Sequence, residues 1–320
     1  MSTTTTPVAA TRRGRPPAAR PVRMRSSILE RIAPYAYISP FFIIFGIFGL
    51  FPLLFTFYVA LFDWNPIGDQ TFIGFDNFTR LFADTRFWNA LGNTFGIFVI
   101  STVPQLVLAL GLAHLLNHAR LRWATFFRMS MLLPYITSVA ATAIVFGQIF
   151  DRNFGLINWI LEGVGLEPIN FLASRFGSWF EISAMVMWRW FGYNTLLYLA
   201  GLQAIPREMY EAASVDGANG WQQFTKLTIP SLRPIIIFTV VMSTIGGLQI
   251  FTEPLLVSPE SGLTCGAARQ CQTLALFLYE QGFGQFEFGY GSAIGVVLFV
   301  IVVLAAALNF FLSTRTRGGR

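Results

Sequence analysis

Residues able to do chemistry are sparse in this 320-residue chain and cluster in a few places. Arg189, Trp190 and Tyr193 fall at helical spacing on one side of MVMWRWFGYNTLLYLAGLQ, beside Trp188 and Asn194. A guanidinium among aromatic faces suits a sugar, whose C–H faces stack on rings while its hydroxyls need fixed donors and acceptors. It equally suits an arginine that snorkels to an interface between belt tryptophans. Gln249, Thr252 and Glu253 in GGLQIFTEP form a second polar set, with Gln249 and Glu253 four apart and hence on one face of a continuing helix. They can bind hydroxyls or hydrogen-bond to a neighbouring helix. Cys265 and Cys271 are spaced for a disulfide closing a small loop, or remain a pair of free thiols.

Other chemistries are missing. The only lysine, Lys226, is followed by Leu227. A phosphate loop needs Gly-Lys-Ser/Thr, so the chain supplies no ATP site of its own. His114 and His118 have a metal-compatible spacing on one helix face, but no third ligand accompanies them, and an interfacial role is expected. No nucleophile elbow, dinucleotide fingerprint or zinc-spaced cysteine cluster is present. No enzymatic activity, cofactor or metal is expected in this chain.

These residues must be positioned by membrane helices. The chain is 54% hydrophobic and 12% charged, too apolar for a soluble surface. Crossing a hydrocarbon core of roughly 30 Å takes about 20 mainly apolar residues. Six such spans are predicted near 35–62, 91–117, 123–150, 180–203, 235–257 and 289–312, which gives an all-α, polytopic fold of six transmembrane helices. The N-terminus, the second and fourth connections and the C-terminus hold most of the 22 Lys and Arg, whereas only Glu30, Glu208, Glu211 and Asp216 bring acid to that side. Basic loops stay cytoplasmic, so both termini and the fourth connection are expected there. The net charge of +6 is explained by this topology without nucleic-acid binding. Residues 1–30, rich in Thr, Ala, Pro and Arg, are expected to be a disordered cytoplasmic tail, with a second short tail at 314–320 bounding the membrane domain of 31–313.

The fourth connection, 206–234, is the most ordered polar stretch. Pro206 can open a short helix through Glu211, Ala212 and Ala213; Gly217 permits a left-handed turn after Asp216; and Asn219 can cap a second short helix carrying Trp221, Phe224 and Leu227 before Pro230 stops it. Paired alanines let a foreign surface approach the helix backbone closely. An ordinary surface helical hairpin is the bland alternative.

The run EAASVDGANGWQQFTKLTIPSLRP resembles the EAA loop of ABC importer permeases, and LAGLQAIPREMYEAASVDGA resembles the sugar-importing branch that includes the larger maltose permease subunit. LLPYITSVAATAIVF and FGYGSAIGVVLF fit the same branch. The resemblance implies a type I importer permease fold in a bacterial plasma membrane. It implies ATPase coupling through Glu211, Ala212, Ala213, Asp216, Gly217, Ala218 and Pro230. Its implied partners are a second homologous permease, two ATPase subunits that bind the ATP and Mg, an extracytoplasmic solute-binding protein, a sugar and membrane lipid. Carried over through the loop, sugar contacts fall on or near Val186, Arg189, Trp190 and Tyr193, then Met242, Ile245, Gly246 and Gln249. Val186 and Gly246 stand where the maltose permease has polar side chains, so a ligand is expected to sit differently. The usual Thr-Gly-Gly-Pro segment after the fifth span is replaced by TEPLLVSPESG and the cysteine loop, a departure that resembles permeases for cellobiose and related β-linked oligosaccharides. Competing readings are a permease for another solute such as glycerol phosphate, and a stand-alone secondary transporter coupled through Glu253 or Glu181.

Overall fold

The computed structural model describes residues 28–66, 68–118 and 124–315. The expected tail at 1–30 therefore lies almost wholly outside the described residues, as do 316–320 of the C-terminal tail. Contacts divide the chain into two units, 1–52 and 53–320. In the first, α1 (Ile28–Phe45) runs into a π-helical turn at Gly46–Leu50, with Phe41, Phe42 and Phe48 exposed. In the second, α2 (Phe51–Val59) leads to a two-stranded antiparallel hairpin, β1 (Phe62–Trp64) with β2 (Gln70–Phe72). This hairpin is the one departure from the all-α expectation among the described residues. Phe62 and Phe72 are register partners with ring centroids 5.3 Å apart, a cross-strand pair of the kind that stabilises such ribbons.

The bundle follows as α3 (Asp76–Ala83), α4 (Thr85–His118), α5 (Ala124–Ile136), α6 (Val139–Phe150), α7 (Leu156–Gly163) and α8 (Arg175–Gln203). It continues through α9 (Arg207–Val215), α10 (Gly220–Gln223), α11 (Ile229–Leu248), α12 (Thr252–Val257), α13 (Leu274–Tyr279) and α14 (Phe288–Arg315). Among the described residues four helices are long and apolar enough to cross a membrane: 32–59, 85–117, 220–248 and 288–312. The predicted span at 123–150 is instead two helices, α5 and α6, bent by 93°. Pro134 removes one backbone donor near the bend, and the Thr137 hydroxyl caps the Leu133 carbonyl at 2.7 Å. The predicted span at 180–203 is α8, 29 residues long, whose Glu181, Asn194 and Thr195 are buried inside protein. The predicted span at 235–257 breaks at 249–251, so Gln249 and Glu253 do not share a helix face: Gln249 is the exposed cap of α11 and Glu253 opens α12. The Thr273 hydroxyl takes up the Ile250 carbonyl freed by that break, at 2.7 Å.

Helices α4 and α8 form the spine. Ala109 and Ala113, one turn apart, pack with Tyr198, Leu199, Leu202 and Leu232, small residues that let backbones approach closely in lipid. Gly192 does the same for α5 against α8, because a β-carbon there would overlap the Met131 carbonyl.

Candidate functional site

Two regions carry the residues singled out by the sequence, the connection between α8 and α11 and a cluster around the middle of α8. The first is the connection from α8 to α11. Pro206 is the N-cap of α9, as its missing N–H allows. The helix ends in a Schellman motif: Gly217, with φ +80°, donates to the Ser214 carbonyl at 3.1 Å, and Ala218 donates to the Ala213 carbonyl at 2.9 Å. Asn219 then closes a reciprocal capping box with Gln222, each bond 2.9 Å. The Gln223 side chain donates to Ser214 Oγ (2.9 Å) and the Ala218 carbonyl (3.1 Å), tying the second helix back to the first. Glu211, Ala212, Asp216 and Gly217 are exposed, Ala213 and Ala218 half-buried. Between them opens a shallow concavity of about 420 Å³, lined also by Lys226 and Leu227.

Pro230 does not stop the second helix. A π-helical turn at Phe224–Thr228, closed by the Ile229 N–H on the Phe224 carbonyl, widens the backbone just before the proline, and the helix runs unbroken from Gly220 to Leu248. Tyr210 on α9 shares a 3.0 Å hydrogen bond with Thr228 in that turn, linking α9 to the long helix that follows.

The second region lies inside the bundle. Arg189 Nη1 bonds Glu253 Oε1 at 3.1 Å, with side-chain exposures of only 13% and 11%. The ion pair bridges α8 to α12 across the break after α11, and it excludes a freely snorkelling Arg189. Trp190 and Tyr193 meet Tyr135 of α5: Tyr135 stacks on Tyr193 at 5.0 Å and meets Trp190 edge-on at 5.1 Å. Sequence spacing does not reveal Tyr135, because its place depends on the tight α5–α8 approach at Gly192. Val186 is buried, whereas Met242 and Gly246 are exposed on α11. Gln249 is not joined to the ion pair or to the aromatic cluster. The wall so built offers stacked aromatic faces beside a guanidinium and a carboxylate, with one half-buried phenol, Tyr193, and one exposed, Tyr135.

His114 packs against Phe224 at 4.6 Å, at the root of the loop, and among the described residues no group of three metal-ligating side chains occurs.

Beyond the helix break, Cys265 and Cys271 form a disulfide with Cα atoms 5.2 Å apart. Arg269 within that loop makes a two-pronged contact with Glu280, with Nη2 to Oε1 at 2.7 Å, and Gln272 Nε2 adds a bond to Glu280 Oε2 at 2.7 Å. Burial alone would push the Glu280 carboxyl up; the Arg269 and Gln272 hydrogen bonds and the guanidinium charge outweigh it and hold the carboxyl below the usual range. Asn93 on α4 donates to the Arg269 and Gln272 carbonyls at 2.9 and 3.0 Å, fixing the loop to the bundle.

Residues 86–318 match a family described as the binding-protein-dependent transport system inner membrane component. The chain is 35% identical to the lactose transport system permease protein of Rhizobium radiobacter over 280 residues, covering 87% of this chain and 92% of that one. It is 33% identical to the arabinooligosaccharides transport system permease protein of Bacillus subtilis over 298 residues, covering 90% and 91%. A chain of the crystallised bacterial alginate ABC transporter in complex with a pentasaccharide-bound periplasmic protein has the same fold, with a TM-score of 0.73 at 23% identity, covering 91% of this chain and 98% of that one.

Proposed function

The chain belongs to the family of binding-protein-dependent transport system inner membrane components, and from that premise we propose that it is one permease half of an ATP-driven sugar importer. Its fold is that of type I ABC importer permeases, multi-pass in the membrane. A di- or oligosaccharide is the cargo, the class that the named sugars of the similar permeases support; the resemblance of TEPLLVSPESG to cellobiose permeases is the ground for a β-linked one. An extracytoplasmic binding protein delivers the sugar, a second homologous permease completes the pathway, and two ATPase subunits bind ATP and Mg. Both termini and the Glu211 loop face the cytoplasm of the bacterial cell. Neither a phosphorylated solute nor autonomous secondary transport is favoured by these relatives.

The observation that carries the reading is the exposed, internally braced Glu211 loop continuous with a membrane helix. It presents Glu211, Ala212, Ala213, Asp216, Gly217 and Ala218 to a docking partner, while the Pro230 turn passes its movement to α11. Substrate contacts are assigned to Arg189, Trp190 and Tyr193, with Gln249 and Glu253 on the facing elements and Tyr135 completing the aromatic face. Movement of α11 relative to α12 alters the wall and so couples nucleotide state to sugar release, since only a difference in contacts between two states can link the two events.

Affinity purification of the tagged chain from its native membrane tests this. A P-loop ATPase and a second permease should co-purify with the parent, and Glu211→Lys should lose the ATPase while retaining the permease. Recovery of the intact parent with no ATPase would sink the importer reading.

A further inference from the structure

Glu181 lies on α8 eight residues before Arg189, hence about 12 Å nearer the helix end remote from the coupling loop. Only 2% of its surface is exposed, and among the described residues it has no hydrogen-bonding or ionic partner. A buried carboxyl left unpaired is costly, so its retention calls for a ligand or a role. The proposed sugar wall does not use it. It lines an open cavity of about 920 Å³ between α6, the start of α8, α12 and the disulfide loop. That volume lies within the roughly 300–1,000 Å³ of small-molecule sites.

The cavity walls are mixed in character. Gln148, Asn170 and Ser258 contribute amides and a hydroxyl, Arg152 a cationic residue, Phe171 an aromatic face, and residues 266–268 part of the disulfide loop. This last wall is held firmly, by the Cys265–Cys271 bridge and by Gln270 Nε2 donating to the Leu172 carbonyl at 2.6 Å. Asp151, the other carboxylate at the rim, accepts the N–H groups of Asn153 and Phe154 through one oxygen, Oδ1, both at 2.8 Å. The groups left for a ligand are therefore the Glu181 carboxyl at the base, the Gln148 and Asn170 amides, which both donate and accept, and at the rim the Arg152 guanidinium and the second Asp151 oxygen, so donors and acceptors face the cavity together. A cation uses only acceptors, whereas a hydroxyl uses both kinds.

We infer that this cavity is a second binding site, for a neutral hydroxyl-rich solute, in which Glu181 accepts a hydrogen bond from a ligand hydroxyl. Resting on the sugar-import reading, it is a station occupied before the Arg189 wall, on the side where solute arrives. It makes Glu181 a binding residue distinct from the aromatic cluster.

The test uses the complete transporter in intact cells. Ala173→Cys places a thiol on the rim at an exposed position with no polar side chain to lose, both native cysteines being bonded, and its labelling by a membrane-impermeant maleimide is timed with added cellobiose, lactose or arabinotriose. Uptake of the same radiolabelled sugars is measured in the same cells. A transported sugar should slow labelling at least three-fold. Its half-protecting concentration should rise at least five-fold in Glu181→Leu, which fills the space without an acceptor, and also rise in Gln148→Ala, an exposed wall position where folding is not at stake. Uptake of a sugar that gives no protection would overturn the site and leave sugar import standing. Protection unchanged in both variants, or given by tetramethylammonium and by none of the sugars, would equally overturn it. Failure of the import reading would show separately, as absence of uptake of all three sugars, and the site is scored from labelling alone.

Discussion

Helix α11 is bracketed by two polar excursions of similar length that are built on opposite principles. The Glu211 loop before it is held by bonds between near neighbours: the Schellman turn at Gly217, the Asn219–Gln222 capping box and the Gln223 bonds back to Ser214 and Ala218. The Cys265 connection after it is held by the rest of the bundle, through Asn93 to Arg269 and Gln272, Thr94 to the Leu274 N–H, and Gln270 to Leu172. A locally encoded element keeps its shape while its surroundings change, which suits a part that must leave one surface and meet another. An element encoded by distant partners has its shape only when the bundle is assembled, which suits a fixed wall.

That contrast is open to direct attack. The largest effect is expected from Gly217→Pro, because proline fixes φ near −65° against the observed +80° and deletes the donor to Ser214. Sugar uptake should vanish while the protein is inserted at normal abundance; normal uptake by a well-expressed variant would end the account of the loop as a rigid coupling part. Arg269→Ala should leave the Glu211 loop intact but leave the Glu280 carboxyl, whose side chain is only 7% exposed, without its charge partner and with Gln272 as its remaining donor. A loss of about 2–3 kcal/mol is expected, read as a lower melting temperature of the purified protein.

The same network predicts a pH dependence. Glu280 titrates below its ordinary value, so its contribution is complete above the unfolded glutamate value of about 4.3 and is lost as pH falls through the lowered folded value. The parent should therefore lose melting temperature in that acid window, and Arg269→Ala should lose less; parallel curves would refute the assignment. The smallest effect belongs to Asn219→Ala, which removes one cap at about 1 kcal/mol. Faster amide exchange confined to residues around 219–223, with the Cys265 connection unaffected, is the expected signature.

Legibility in the sequence follows the same division. The turn at Gly217, the cap at Asn219 and the long apolar spans depend on neighbouring residues and on helical periodicity, and were readable as such. Pro230 was misread because a π turn placed just upstream can carry a proline into a continuing helix, a remedy with no signal of its own in FTKLTIP. The bend between α5 and α6 was hidden because the apolar run on either side of Thr137 and Ser138 is unbroken in composition. Tyr135 beside Tyr193, and Glu253 beside Arg189, are meetings between segments 58 and 64 positions apart that only the packing of α5, α8 and α12 decides. Glu181 stands out in the sequence as a carboxylate near a span, but its lack of a partner and the cavity it lines depend on how α6, α8 and α12 pack.

The unbroken helix from Gly220 to Leu248 has a further consequence when treated as a rod. Its 29 residues span about 43 Å, so a tilt of about 5° pivoted at one end displaces the other by about 4 Å. The break at 249–251 lets α12 stay behind during such a swing. Arg189 and Glu253 stand on α8 and α12, neither of them on the rod, so their 3.1 Å ion pair can stay closed while the rod swings past it, a fixed post against which the moving helix slides.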